Sequence, residues 1–169
     1  MREGSGEIEA PVAPHEAFAY LSDPRHAPRW FAGVEVADAP TGPLATGATW
    51  TFIQTQSGGR ASRTRMALYE PPTRFIWRTA RRWPATNLTW ELRCLPVADN
   101  PRATLLRLTI RIEPGPLGWL SALAASALRG DVIAERAQRA VERARAVLIA
   151  SSPHGSATPG TQRRRRRDQ

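Results

Sequence analysis

Six short segments of alternating apolar and polar residues follow one another between residues 34 and 112, and no other feature constrains the fold as strongly. In one of them, each second residue from Leu88 to Cys94 is apolar and the residues between them are polar. A period of two is typical of a strand with one buried face. The segments lie at 34–37, 49–54, 63–68, 74–79, 87–94 and 105–112. Because they follow one another with short connections, the sequence predicts an antiparallel sheet with one apolar face.

Helical segments flank the predicted sheet. Residues 7–12 predict a short first strand, and Pro14 then occupies a position favoured in the first turn of a helix. A second short helix is predicted over residues 24–31. From residue 117 to about 150 the chain is alanine-rich and free of proline, and its apolar residues recur with a helical period. At about 1.5 Å per residue, this last helix is long enough to cross the whole sheet.

Composition separates one globular domain, residues 1–150, from a C-terminal tail, residues 151–169. Of the 169 residues, 41% are hydrophobic and 23% are charged, which is ordinary for a folded domain. The tail has no large apolar residue and therefore cannot form a core, so it is predicted to be disordered. No segment has the length of about 18 apolar residues that a membrane-spanning helix needs.

Four local motifs occur in an order that resembles a known family. They read APVAPHEAFAYLSDPRHAPRWFAGV, GPLATGATWTF, LYEPPTRFIWR and NPRATLLRLTIRIEP. Together they resemble the polyketide cyclase/dehydrase family of the START-like (SRPBCC) superfamily over about residues 7–150. Arg102 and Ala103 stand where the family pattern has glycines, and the short N-terminus and arginine-rich tail also depart from it.

The resemblance implies an α+β helix-grip fold and a function. In this fold a curved antiparallel sheet of about six to seven strands wraps a long C-terminal helix, with two short helices after the first strand. The cavity between sheet and helix is expected to bind a small hydrophobic molecule such as a lipid, polyketide or quinone. The residues predicted to line it are Trp50, Phe52, Thr64, Met66, Leu68, Phe75, Trp77, Leu88, Trp90, Leu92, Leu106, Leu108, Ile110, Trp119, Leu123, Ala127, Gly130 and Ala134.

Small residues on the long helix leave two interpretations open. Ala127, Gly130, Ala134 and Ala137 fall on the face that would meet the sheet. Such a stripe either leaves room for a ligand or allows close contact between helix and sheet. Polar wall residues are also ambiguous, because Thr64, Gln54 and Thr79 would either converge in an apolar pocket or lie at strand ends in water.

Catalytic and metal sites have little support in the sequence. Asp131, at the edge of the apolar helix face, is the one weak candidate for a general acid or base in a polyketide cyclase or dehydratase. The three histidines lie far apart and have no carboxylate at metal-ligand spacing, so no metal and no cofactor is predicted. Cys94, the single cysteine, is predicted to be a core residue and excludes an internal disulfide. With no signal-peptide pattern, this favours a cytoplasmic protein.

Positive charge suggests a third class of function. The net charge is +9, and all 24 basic residues are arginine. Five of them form one run in the tail, Arg163, Arg164, Arg165, Arg166 and Arg167. The run, with the arginines on the polar face of the sheet, would suit contact with RNA, a ribosome or an anionic membrane. A ligand-binding protein is the preferred prediction, an enzyme and an arginine-mediated interaction protein are the alternatives, and the oligomeric state is not predicted.

Overall fold

The computed structural model describes residues 1–55, 58–81, 86–114 and 130–151. These residues form a seven-stranded sheet in which all neighbours are antiparallel and the order is β1-β7-β6-β5-β4-β3-β2. The strands are β1 Arg2–Ala10, β2 Val34–Ala37, β3 Thr49–Gln54, β4 Arg60–Glu70, β5 Arg74–Arg81, β6 Thr86–Val97 and β7 Asn100–Pro114. The predicted meander is therefore confirmed.

Two short helices and one long helix accompany the sheet in the described residues. Helix α1 spans Pro14–Leu21, a 3-10 turn spans Pro24–His26, and α2 spans Ala27–Trp30. Helix α3 spans Gly130–Ser151 and packs against β1, β7 and α2. The α+β helix-grip architecture is confirmed, with a 3-10 turn and a single α-helical turn where one helix was predicted over 24–31. Residues 117–129 of the predicted long helix and tail residues 152–169 lie outside the described residues.

Strand β1 spans Arg2–Ala10 and therefore begins before the predicted residues 7–12. The first half of the strand was not predicted because it contains two glycines. Glycine is depleted in strands, so residues 4–6 gave no strand signal. In the structure, a Cβ atom built on Gly4 would lie 2.4 Å from the backbone nitrogen of Ala134, and one built on Gly6 would lie 2.4 Å from that of Gln138. Helix α3 therefore packs directly on the backbone of β1.

This contact decides between the two interpretations of the small-residue stripe where the structure describes it. Ala134 meets Gly4 through its backbone, and Ala137 is fully buried beside Gly6. The side-chain amide of Gln138 accepts a hydrogen bond from the backbone N–H of Glu7 at 3.1 Å. This part of the stripe therefore serves close helix–strand contact instead of leaving open space. Ala127 lies outside the described residues.

One predicted wall residue lies on the other face of the sheet. The pairing of β4 with β5 shifts register between Met66 and Leu68, so Leu68 lies opposite Ile76 and Tyr69 opposite Phe75. A bulge reverses the inward and outward sense of every residue beyond it. Leu68 is therefore placed wrongly by strict alternation. Tyr69 takes the inward place, where its ring lies 5.2 Å from that of Phe18.

The turn between α1 and α2 depends on Asp23. Its carboxylate accepts a hydrogen bond from the backbone N–H of Arg25 at 2.9 Å and pairs with the Arg25 guanidinium. Burial opposes ionisation of Asp23, but the hydrogen bonds from the Arg25 side chain and backbone outweigh it and lower the carboxyl pKa. Ionised Asp23 therefore stabilises the folded state.

We expect Asp23→Asn to lower stability at neutral pH by about 1 kcal/mol, in the range of a lost charged cap. A carboxyl whose pKa is lowered on folding contributes stability above its unfolded pKa, near 4, and loses it as pH falls through the folded value. The difference between wild type and Asp23→Asn in urea unfolding should therefore shrink from pH 6 to pH 3. An unchanged difference would mean that the Asp23 charge contributes nothing.

Among the residues that the structure describes, no helix is long and apolar enough to cross a membrane.

Candidate ligand-binding site

Seven aromatic rings form a continuous cluster on the concave face of the sheet. The aromatic cluster consists of Trp30, Phe31, Trp50, Phe52, Phe75, Trp77 and Trp90. Trp77 is central, with ring centroids 5.0 Å from Phe75 and 5.4 Å from Trp50. All seven side chains are buried. Five of the rings lie on β3, β5 and β6, where alternation places them on the same face of the sheet. The other two rings lie at the end of α2.

Most of the predicted cavity wall lies on this face. The predicted residues that the structure buries in one core are Trp50, Phe52, Thr64, Met66, Phe75, Trp77, Trp90, Leu92, Leu106, Leu108 and Ile110. Leu88 is half-buried and packs against the same core. Trp119 and Leu123 lie outside the described residues, and Gly130 is the first described residue of α3. The contact of these side chains with a ligand stays a prediction.

Four tryptophans of the cluster hold buried hydrogen-bond donors that have no acceptor among the described residues. The Nε1 atoms of Trp30, Trp50, Trp77 and Trp90 are each inaccessible to solvent, and none has a hydrogen-bond partner in this part of the chain. A buried donor left unpaired costs about 1–3 kcal/mol of desolvation, and such groups are uncommon in folded proteins. Four in one cluster therefore require an explanation.

Two threonines add polar groups to the same face. The buried hydroxyls of Thr64 and Thr79 lie 2.8 Å apart, on adjacent strands, so they converge as one of the two sequence interpretations expected. One hydroxyl donates to the other, and the accepting hydroxyl keeps its own proton. The pair can therefore donate one further hydrogen bond.

Two contacts in this region, those of Phe31 and Arg136, were not predicted from the sequence. Phe31 stacks on Trp90 with centroids 4.4 Å apart, and the guanidinium of Arg136 lies 5.1 Å from the Phe31 ring centre. The Trp30–Phe31 pair lies near the end of the first quoted motif, which is the signal available in the sequence. The position of Arg136 over a ring on another element leaves no such signal.

A shallow basic groove lies where α2 meets α3. It has a volume of about 260 Å³, and its lining residues are Phe31, Ala32, Val132, Glu135, Arg136, Arg139, Ala140 and Arg143. Although Arg136 is exposed, the protein atoms around it lower its pKa, because desolvation penalises the charged form. An arginine guanidinium nevertheless stays protonated at neutral pH.

Asp131 is exposed on α3. Its exposure does not support a place beside the cavity, and its role as a general acid or base stays a prediction. Cys94 is buried as predicted, and burial raises the pKa of its thiol to about 12, which leaves no reactive thiolate at neutral pH. In the described ranges, no cluster of three metal-ligating side chains occurs.

Arginines on the convex face are partly neutralised by acids. Glu91, whose side chain is only 6% exposed, pairs with Arg93 at 2.7 Å and Arg111 at 3.3 Å. Arg111 also pairs with Glu3, and Arg107 pairs with Glu7. These pairs reduce the positive charge that a polyanion would meet near β1, β6 and β7. The arginine run at 163–167 lies beyond the described residues.

Fold and site together define a START-like helix-grip domain with an aromatic concave face. The chain matches the family described as polyketide cyclase / dehydrase and lipid transport over residues 1–148, and it belongs to that family. No curated protein is detectably similar in sequence.

Solved bacterial structures share the fold at low identity. A protein from Rhodobacter sphaeroides is 20% identical, with a TM-score of 0.62 over 88% of this chain and 93% of that one. A conserved protein from Geobacillus kaustophilus is 17% identical, with a TM-score of 0.62 over 88% of this chain and 96% of that one. A protein from Chromobacterium violaceum is 12% identical, with a TM-score of 0.61 over 87% of this chain and 96% of that one. These likenesses establish the fold alone.

Proposed function

We propose that this protein binds a small, mainly apolar molecule whose oxygen atoms accept hydrogen bonds from tryptophans of the concave face. The observation that carries the proposal is the set of four buried indole N–H groups without acceptors. A ligand oxygen would remove the desolvation cost of any donor it reaches. Membership of a family of cyclases, dehydrases and lipid carriers supports the same class of ligand.

The apolar surroundings set the character of this ligand. Rings and aliphatic side chains such as Met66 and Leu92 dominate the buried face, so most of the affinity would come from burial at about 25 cal/mol per Å² of apolar surface. A few donors, the indoles and the Thr64–Thr79 pair, would fix orientation. A flat molecule with one or two carbonyl groups, such as a quinone or an aromatic polyketide, combines these properties.

Native mass spectrometry of the protein as purified, followed by organic extraction, tests the binding class. The expected result is an apolar adduct that contains oxygen. The hydrogen-bond part is tested by calorimetry with menadione and 2-methylnaphthalene, which share a ring system and differ in two carbonyl groups.

We expect menadione to bind about 3- to 10-fold more tightly than 2-methylnaphthalene, as one net hydrogen bond would give. A single tryptophan-to-phenylalanine change at position 30, 50, 77 or 90 should remove this preference. If the two probes bind equally, the indoles do not recognise oxygen. If neither probe binds and the protein carries no adduct, the proposed function is wrong.

A further inference from the structure

The basic groove defined above lies at the surface end of a stack of aromatic rings. The guanidinium of Arg136 covers the Phe31 ring at 5.1 Å, Phe31 stacks on Trp90 at 4.4 Å, and Trp90 stacks on Phe52 at 5.3 Å. The first step joins an exposed guanidinium to a buried ring, and the rings beyond it are all buried. The groove is therefore continuous with the concave face that carries the unpaired indoles.

The groove has an excess of positive charge. Its lining holds three arginines and one carboxylate, Glu135, which pairs with Arg139. The next acid along the helix, Glu142, accepts a hydrogen bond from Gln138 at 3.1 Å and does not line the groove. Among the described residues, neither Arg136 nor Arg143 has a carboxylate partner. Two guanidinium groups are thus available to an anion.

We infer that the basic groove binds the acidic group of an amphipathic organic anion, with Arg136 as its main contact and the aromatic cluster as the site of its apolar part. This inference rests on the proposed function and narrows its ligand to a carboxylic or similar acid. Guanidinium groups donate charge-assisted hydrogen bonds to such anions, and these are stronger than neutral ones.

The dimensions favour a small ligand over a polyanion. A groove of about 260 Å³ holds one acidic group and a few ring atoms, and its cations lie within two turns of one helix. An RNA or a membrane would need cations spread over a wider surface. On the convex face, by contrast, Arg107 and Arg111 are already paired with acids.

Two fluorescent probes with the same ring system separate the charge from the apolar body. 8-Anilinonaphthalene-1-sulfonate carries an anion, and N-phenyl-1-naphthylamine is the same molecule without it. We expect Arg136→Gln to lower the affinity for the sulfonate probe about 10-fold or more, which is the loss expected for a charge-assisted hydrogen bond. The affinity for the neutral probe should stay within about 2-fold of the wild-type value. Arg145→Gln, an exposed arginine of α3 outside the groove, is the matched control and should change neither.

Salt and membranes complete the test, with near-ultraviolet circular dichroism to show that each variant is folded. Raising the NaCl concentration should lower the affinity for the sulfonate probe and leave the affinity for the neutral probe unchanged. If Arg136→Gln weakens both probes equally, Arg136 acts through packing on Phe31 and the anion site is wrong. If the sulfonate probe binds but no groove variant affects it, the inference fails while the proposed function stands.

If neither probe binds to the wild-type protein, the result contradicts the proposed function itself. If Arg136→Gln abolishes cosedimentation with phosphatidylglycerol vesicles and spares the sulfonate probe, the groove contacts a membrane surface and the inference is overturned.

Discussion

Replacement of Gly6 by alanine is expected to destabilise the protein by about 3 kcal/mol, the upper end of the usual cost of overpacking. The added Cβ atom would lie 2.4 Å from the backbone nitrogen of Gln138 and 2.5 Å from its Cα. Both are backbone atoms of α3, so no side-chain rotation can make room, and helix and strand must separate. Separation would also lengthen the hydrogen bond between Gln138 and the backbone of Glu7.

Urea unfolding followed by circular dichroism measures this loss, and Gly42→Ala supplies the control. A Cβ atom at Gly42 meets nothing within 4 Å, and the backbone there is not in the left-handed region, so its effect should stay within about 0.5 kcal/mol. If Gly6→Ala unfolds at the wild-type urea concentration, α3 does not rest on β1 as described.

Gly6 also shows why the sequence predicted the later strands well but only the second half of the first strand. Alternation from 34 to 112 is a local pattern, and it located six of the seven strands because one face of each is buried. Gly4 and Gly6 are in β1 for a tertiary reason, the backbone of a helix more than 120 residues away along the chain. Such a reason leaves no trace in a short window of sequence.

The candidate site could also be predicted only in part from the sequence. Residue parity placed Trp50, Trp77 and Trp90 on one face correctly, but it failed at Leu68, where a bulge in β4 shifts the register. Parity also says nothing about which polar atoms find partners. The unpaired indoles and the position of Arg136 over a ring of α2 emerge only from packing between elements.

Replacement of Trp77 by alanine is the second large effect that we expect, a loss of about 3–5 kcal/mol. Its ring contacts five other aromatic rings of the cluster, from β3, β5, β6 and α2. The change would leave a cavity that fully buried neighbours on four elements cannot close together. For a domain of this size the midpoint of thermal unfolding should fall by about 10 °C.

Trp77→Phe distinguishes the packing of this ring from its hydrogen-bond donor. Phenylalanine keeps an aromatic ring in the cluster and removes an N–H that has no acceptor in the described structure, so it deletes a desolvation cost together with a few buried atoms. Its stability should therefore lie much closer to that of the wild type than to that of Trp77→Ala. A cost equal to that of Trp77→Ala would mean that the N–H stabilises the folded protein and has a partner.

The two variants together separate a structural role from a binding role. If the cluster only fills the core, ligand affinity should fall with stability, so Trp77→Phe should bind menadione nearly as well as the wild type does. If the indole N–H is kept for a ligand oxygen, Trp77→Phe should lose the preference for menadione over 2-methylnaphthalene while the fold stays intact. A donor that costs stability in the free protein and contributes affinity in the complex would have a binding role, because its desolvation is complete before the ligand arrives.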